Sequence, residues 1–237
     1  MTIVSSVAAV APVRLAEWGE VSARVLHRHA TGESVAQLEL PAGWALTWPP
    51  PRAHTLEIFV LTGELTVAGT TLTEWSYLHV PVSVSLSLAS ARGATILVYA
   101  DLPQPTDGTQ MRIVATTSAD WRSGVIAARD TGRSLALEVR DLLNVTSTGQ
   151  RTWLLRAGAD LVLPFERHQT VEEGYIVQGR YRLIERVERG ETVFDHEPGG
   201  YFWRPAGIVH GGPRSGSDGD FVMLLRTPKS LTVEFVP

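Results

Sequence analysis

The chain has 237 residues, of which 44% are hydrophobic, and it carries a formal net charge of −4 at pH 7 with no cysteine. This length suits one large or two small domains with real cores, and the lack of cysteine excludes disulfide bonds, thiolate metal sites and cysteine nucleophiles. The slightly acidic balance provides no electrostatic basis for binding nucleic acid or an anionic membrane.

The first residues, M-T-I-V-S-S-V-A-A-V-A-P-V-R, are apolar but lack the basic start of a signal peptide. No stretch reaches the roughly 20 apolar residues of a membrane helix. We therefore predict a cytoplasmic protein whose N-terminus forms an ordered arm or leading strand.

Short runs rich in β-branched and aromatic residues, separated by Gly, Pro, Asp and Ser, predict an almost entirely β protein. The best helical candidate, residues 134–143, also fits a strand. Many short strands with regular turn signals favour a sandwich or barrel. In chain order, the predicted strands cover residues 35–40, 57–67, 82–88, 94–100, 151–156, 174–184 and 220–226.

A repeat overlies this pattern. Residues 31–65 and 148–181 each begin with Thr-Gly and a strand, and each continues to a hairpin centred on a glycine, Gly63 or Gly179. The segment 102–110 is rich in turn formers and marks an exit from the first copy. We predict a tandem duplication with domains at residues 1–110 and 111–237.

Four possible metal ligands occur in the second copy. Glu166 and His168 are two residues apart, so on a strand they point to the same face. Glu172 follows His168 by four residues, and His210 stands after a Pro-Ala-Gly turn that would deliver it from another strand. This mixture of imidazole and carboxylate suits divalent Fe, Mn, Ni, Co or Zn better than calcium.

These residues resemble the two motifs of the cupin superfamily, Gly-x5-His-x-His-x3-4-Glu-x6-Gly and Gly-x5-Pro-x-Gly-x2-His-x3-Asn. There are two departures, because Glu166 stands at the first histidine and Arg214 at the terminal asparagine. The matching positions are His168, Glu172, Gly179, Gly199, Pro205, Gly207 and His210. The resemblance covers most of the chain and implies an all-β bicupin of two tandem double-stranded β-helix (jelly-roll) barrels, with a metal inside the second.

Within that superfamily, the chain looks most like the cupin half of ChrR-type anti-sigma factors and acetylacetone-cleaving dioxygenases. Bicupin ureidoglycine aminohydrolases, which bind manganese through a Glu-x-His pair, are a more distant comparison. The leading prediction is a metal-dependent, dioxygenase-like enzyme that acts on a small carbonyl, enol or phenolic compound. A non-catalytic small-molecule or metal-sensing protein and a manganese-dependent hydrolase or isomerase remain alternatives.

The first copy does not offer the same ligands. Counting back from Gly63, Arg52 occupies the position of His168 and Leu56 that of Glu172, while Leu86 falls at His210. Residues 81–88 alternate without a break, so we predict one strand with an apolar inner face. The first barrel is therefore expected to have an apolar interior and no metal.

Some roles stay open at this point. Glu166 is either a fourth ligand or a hydrogen-bond acceptor that orients a ligating histidine. Alternatively, the four residues form hydrogen bonds with one another in a barrel without metal. Arg204 could pair with Glu166, with Glu172 or with an anionic substrate.

The remaining predictions concern the surroundings of this site. His27, His29 and His196 are expected at the surface, and a small-molecule ligand and a homodimer, pairing through the N-terminal arm, are the expected partners. The candidate pocket walls are Arg204, Tyr175 and Trp203, together with Trp153, Arg156, Tyr181, Arg182 and Phe202.

Overall fold

A computed structural model describes residues 1–104, 107–115, 121–128, 133–159, 161, 163–187 and 190–237, without the side chains of 124–128 and 133–136. Apart from two short 3-10 helices, Val7–Ala9 and Ala16–Trp18, the regular elements are strands. The prediction of an all-β protein is confirmed. Among the described residues, no helix is long and apolar enough to cross a membrane.

The strands are numbered in chain order. The first eleven are β1 (Thr2–Val4), β2 (Val13–Leu15), β3 (Val21–Arg28), β4 (Ser34–Leu40), β5 (Trp44–Trp48), β6 (Thr55–Val67), β7 (Thr70–Thr73), β8 (Tyr77–Val80), β9 (Leu86–Ser90), β10 (Ala94–Asp101) and β11 (Arg112–Val114). The others are β12 (Arg122–Ala128), β13 (Arg133–Val145), β14 (Gln150–Ala157), β15 (Glu166–His168), β16 (Glu172–Gln178), β17 (Tyr181–Val187), β18 (Gly190–His196), β19 (Tyr201–Arg204), β20 (Val209–His210), β21 (Phe221–Thr227) and β22 (Val233–Phe235).

The chain divides into two compact units. The first unit, residues 10–119, is built on a ten-stranded sheet whose main path runs β11-β8-β6-β10-β4-β3-β2. The second unit, residues 1–9 with 120–237, has a seven-stranded sheet in the order β1-β19-β16-β21-β14-β13-β12 and a five-stranded sheet in the order β18-β17-β20-β15-β22. In each unit an apolar cluster of alternate strand residues forms the interior.

This division differs from the predicted domains 1–110 and 111–237 at both ends. β1 pairs with β19, with Thr2 opposite Trp203, which makes the N-terminal residues part of the second unit. β11 pairs with β8, with Arg112 opposite His79, so the first unit continues past residue 110. Composition could not indicate either feature, because both depend on pairing between strands that are distant in sequence.

The predicted strand at 82–88 begins later in the structure. Residues 82–84 form a turn, closed by a hydrogen bond of 3.1 Å from Val84 N to the Pro81 carbonyl, and β9 starts at Leu86. The Arg52 guanidinium donates to carbonyl oxygens on both sides of this turn, those of Val80, Pro81 and Val84. Alternation alone misled the prediction, because a valine in a turn has the same spacing as a valine in a strand. The helical candidate at 134–143 lies within strand β13.

The duplication extends to buried polar pairs. Tyr77 donates a hydrogen bond of 2.6 Å to Glu57 in the first unit, and Tyr201 donates one of 2.8 Å to Glu173 in the second. Each glutamate directly follows an inward-facing residue, Leu56 on β6 or Glu172 on β16. Each tyrosine lies on the neighbouring strand, β8 or β19. The two units therefore repeat the same backbone framework in detail.

The two hairpin glycines repeat for a steric reason. Gly63 has φ +80° and Gly179 has φ +77°, a left-handed conformation that disfavours any side chain. A Cβ at Gly63 would overlap the carbonyl oxygen of Gly93, and one at Gly179 would overlap that of Asp220. Each glycine thus lets its hairpin pass close to the neighbouring strand.

We predict that Gly179→Ala lowers the free energy of unfolding by about 2 to 5 kcal/mol, because backbone strain and overpacking act together. The control is Gly219→Ala, where nothing lies within 4 Å of the added methyl and the change should stay within about 0.5 kcal/mol. Denaturant unfolding of both variants provides the measurement. Equal stabilities would contradict the close approach at Gly179.

His196 is buried, so its predicted position at the surface is wrong. It is 1% exposed, and its Nδ1–H donates to the carbonyl of Val4, 3.2 Å away on β1. Burial lowers the pKa of His196 from 6.5 to about 4, so the folded protein keeps this ring neutral. The imidazole therefore attaches the N-terminal strand to the second unit in its neutral form.

This burial predicts a pH dependence of stability. Between pH 6.5 and about 4 the unfolded chain binds a proton at His196 that the folded chain does not, so stability falls as the pH is lowered through that window. The loss attributable to this group approaches roughly 3 kcal/mol at the lower end. In His196→Asn the slope should be shallower over that window, as measured by denaturant unfolding at successive pH values. Identical slopes would contradict the burial of a neutral ring.

Candidate metal centre

Three short strands bring the predicted ligands together. Glu166 and His168 lie on β15, and Glu166 pairs directly with His210 on β20. Glu172 begins β16, after a short connection from His168. Each of these four side chains is less than 10% exposed, and each points towards the others.

The distances define a compact group of donor atoms. His168 Nε2 lies 3.8 Å from Glu166 Oε1 and 3.6 Å from Glu172 Oε2. His210 Nε2 lies 3.6 Å from Glu166 Oε1 and 3.8 Å from Glu172 Oε2. One donor atom each from Glu166, His168 and His210 falls within 4.8 Å of the other two. Glu172 lies near both histidines but also accepts a hydrogen bond from a cationic side chain, Arg204.

The hydrogen bonds determine which nitrogens face the centre. His210 Nδ1 lies 3.1 Å from the Ile208 carbonyl and His168 Nδ1 lies 3.4 Å from the Thr232 carbonyl. A carbonyl can only accept, so each Nδ1 carries a proton, and in the neutral ring the Nε2 presents a lone pair. Burial, followed by the field of Arg204, lowers the pKa of His210 to about 3 and keeps it neutral. Four acceptor atoms therefore face one another, and one of them, Glu172 Oε2, also accepts a hydrogen bond from Arg204 Nη1.

Arg204 is the cation that holds Glu172. Its Nη1 donates to Glu172 Oε2, and its Nε donates to Glu185 Oε1 at 3.0 Å. The guanidinium also lies over the Phe202 ring, 4.6 Å from the centroid. Arg204 is 2% exposed and Glu185 is fully buried. Arg204 thus pairs with Glu172, one of the partners that the sequence left open.

The buried charges do not balance within the protein. Glu166, Glu172 and Glu185 supply three carboxylates against the single guanidinium of Arg204, which leaves two negative charges in excess. Unpaired charge in an apolar interior is costly. Accordingly, burial raises the pKa of Glu166 above its usual value, which favours a proton there in the absence of another cation. A dication would neutralise the group completely.

These features fit a divalent transition metal. Ligand bonds near 2.1 Å place neighbouring donors of a tetrahedral site roughly 3.4 Å apart, slightly less than the 3.6 to 3.8 Å observed between the histidine and glutamate atoms. A small shift of the side chains towards one another would bring these donor atoms to the distance that a metal ion needs. Glu166 lies as near to His210 as Glu172 does to His168, which supports its place among the ligands.

A cavity of about 1030 Å³ opens beside this centre. The exposed Gln169, Val233 and Glu234 line it, so it reaches solvent next to the C-terminal strand β22. Its volume lies near the upper end of the range usual for ligand sites. Most of the wall is apolar, and its large side chains are Trp153, Tyr181, Phe202, Phe221, Met223 and Leu225.

The predicted pocket residues divide by strand parity. Arg204 lines the cavity, but Tyr175 and Trp203 do not. Tyr175 has opposite parity to Glu172 on β16, and Trp203 has opposite parity to Arg204 on β19, so both point away from the site. Of the additional candidates, Trp153, Tyr181 and Phe202 line the cavity, whereas the half-buried Arg156 pairs with Glu138 and the exposed Arg182 pairs with Asp195.

Glu185 was missed by the sequence reasoning. It shares the parity of Tyr181 and Leu183, which line the cavity, so an inward-facing glutamate on β17 was visible in the alternation. Its Oε2 is buried with no hydrogen-bond partner among the described residues. Glu185 holds Arg204 from the side opposite Glu172.

The first unit replaces this constellation with apolar groups. The pair Leu56 and Val80 occupies the same register as Glu172 and Arg204. Leu86 is fully buried in the apolar interior, as predicted. In the described part of the chain, His, Asp and Glu side chains cluster closely enough to hold a metal ion in the second unit alone.

Comparisons with known proteins support the fold. No protein-family model matches the sequence, and no curated protein matches it significantly. A Nostoc punctiforme protein provisionally named a dioxygenase has a TM-score of 0.71 at 18% identity, over 98% of this chain and 85% of its own. The E. coli protein Ylba has a TM-score of 0.70 at 14% identity, over 98% and 92% of the two chains.

An oxalate decarboxylase from Lactobacillus farciminis, solved with formate, is also similar. Its TM-score is 0.69 at 11% identity, over 100% of this chain and 88% of its own. At these identities the likeness concerns the fold alone. Together with the strand pairing described above, it confirms the predicted fold of two tandem cupin barrels.

We predict one divalent ion per chain in protein purified without added metal, and its loss in His210→Ala, because a missing imidazole leaves an incomplete donor set. His54→Ala, a histidine of the first unit, is the matched control and should retain the ion. Elemental analysis by mass spectrometry measures both. Retention of a full equivalent by His210→Ala would contradict this site.

Proposed function

We propose that the protein is a divalent-metal-dependent, dioxygenase-like enzyme that acts on a small carbonyl, enol or phenolic compound in the second barrel. The observation that carries the proposal is the convergence of four buried acceptor atoms, from Glu166, His168, Glu172 and His210, at the wall of a large cavity. A structural ion would not need such a cavity beside it.

The histidines and glutamates have separate tasks in this proposal. His168 and His210 present fixed Nε2 lone pairs, because their Nδ1 protons are held by backbone carbonyls. Glu166 and Glu172 supply the negative charge. A bound metal would supply Lewis acidity and, for iron, chemistry with dioxygen.

Arg204 is the residue best placed to contact the substrate. It lines the cavity, and its Nη2 is buried with no hydrogen-bond partner among the described residues. This nitrogen can donate to a carbonyl or phenolic oxygen, which would satisfy it. Glu172 and Glu185 hold the guanidinium in place through its other two nitrogens.

The charge balance favours substrates without a permanent charge. With a dication bound, the three carboxylates and the guanidinium of the centre would have no net charge. A substrate carboxylate would therefore add an unpaired negative charge. A diketone, enol or phenol adds oxygen donors without that cost. The apolar wall formed by Trp153, Phe221 and Leu225 suits the carbon skeleton of such a compound.

The test is oxygen uptake by Fe(II)-loaded protein with a panel of 1,3-diketones and phenols. Uptake should depend on the organic substrate and fall to background in His168→Ala. Arg204→Met should retain the metal but lower kcat/KM by about ten- to a hundredfold, because it loses the donor and the anchor of Glu172.

Other outcomes separate the alternatives. If stoichiometric metal and substrate binding occur without uptake or product, the protein is a binding module rather than an enzyme. If product forms without oxygen consumption and with manganese, the chemistry is hydrolysis or isomerisation. Either result would overturn the dioxygenase-like proposal while leaving the metal site intact.

A further inference from the structure

The first unit contains a cavity of its own. Its volume is about 440 Å³, within the range of small-molecule sites, and it lies in the barrel that carries no metal ligands. Its buried wall is apolar and is formed by Trp18, Leu38, Leu56 and Val98. Trp48 lines it as a second, partly buried indole. This wall suits an aliphatic or aromatic body.

Arg52 places a positive charge on this cavity. Its guanidinium donates only to backbone carbonyls, those of Val80, Pro81 and Val84. Among the described residues, no carboxylate lies within ion-pair distance of it, and its Nε is buried without a hydrogen-bond partner. Because an arginine has five N–H donors, Nε and one Nη1 hydrogen remain available.

The charged side chains that line this cavity carry a net positive charge. Arg28 and Arg52 contribute two positive charges, and Glu17 contributes one negative charge. His54 and the Ser34 side of β4 complete the polar part of the wall. A ligand with a single negative charge would therefore balance the cavity.

We propose that the first barrel binds a small monocarboxylate, with its apolar body against the two indoles and its carboxylate beside Arg52. A carboxylate suits this position because its charge pairs with the guanidinium and its oxygens accept charge-assisted hydrogen bonds. The cavity occupies the same barrel interior that holds the metal centre in the other repeat, and Arg52 stands at the position of His168. This inference does not depend on the proposed enzymatic function.

The experiment uses the full chain carrying Glu166→Gln and His210→Ala, so that carboxylates cannot bind to a metal in the second barrel. Phenylacetate and its uncharged analogue phenylacetamide are titrated by calorimetry, with tryptophan fluorescence as a second signal. Phenylacetate should bind at least about tenfold more tightly than the amide, since a hydrogen bond to a charged group contributes more. Arg52→Met should remove that preference.

A second variant is needed because Arg52 also stabilises the turn at residues 82–84, so Arg52→Met could lose binding through misfolding. Ala100→Leu adds volume to the cavity wall without touching the bonds of Arg52 and should weaken binding about tenfold or more. Ala45→Leu, at an exposed position on β5 outside the lining, should bind normally. Absence of phenylacetate binding, equal affinity for acid and amide, or unchanged binding in Ala100→Leu would each overturn the proposal.

Discussion

The second barrel is organised around a cluster of acceptor atoms that carries more negative charge than its neighbouring arginine can balance. Two imidazole nitrogens and two carboxylates meet there in a buried space. Such a cluster repels itself unless a cation fills it. The pairing of Arg204 with both Glu172 and Glu185 reduces this repulsion only in part, because it leaves negative charge in excess. The empty volume beside the cluster then gives a ligand access to whatever cation is bound.

The first barrel shows that the framework does not require this polar centre. Equivalent positions pair in the same register, and the Gly63 and Gly179 hairpins make the same close approach to a neighbouring strand. In this register the inward-facing pair changes from Glu172 and Arg204 to Leu56 and Val80. The backbone thus determines where side chains converge, and the residue types determine whether that point is charged or apolar. The same scaffold accommodates two interiors of opposite polarity.

Residue spacing predicted that Glu166, His168, Glu172 and His210 converge, because short loops and glycine-marked hairpins keep local register between neighbouring strands. It also predicted the apolar interior of the first unit, from the positions of Leu56 and Leu86. It failed where the answer lay in distant pairing. His196 is buried by a strand 192 residues earlier in the chain, which no local pattern could indicate. Tyr175 and Trp203 were selected by residue type, although their parity places them on the opposite face.

The coupled pair of Glu172 and Arg204 has an evolutionary consequence. Replacing Arg204 alone would leave Glu172 and Glu185 as buried carboxylates without their cation, and replacing Glu172 alone would remove one of the two carboxylates that hold Arg204, whereas the first repeat has the apolar pair of Leu56 and Val80 in this register. A gene duplicate passing from one interior to the other must therefore cross an unstable intermediate or change both codons nearly at once. This barrier helps to keep the two interiors different, since neither can change easily to the polarity of the other.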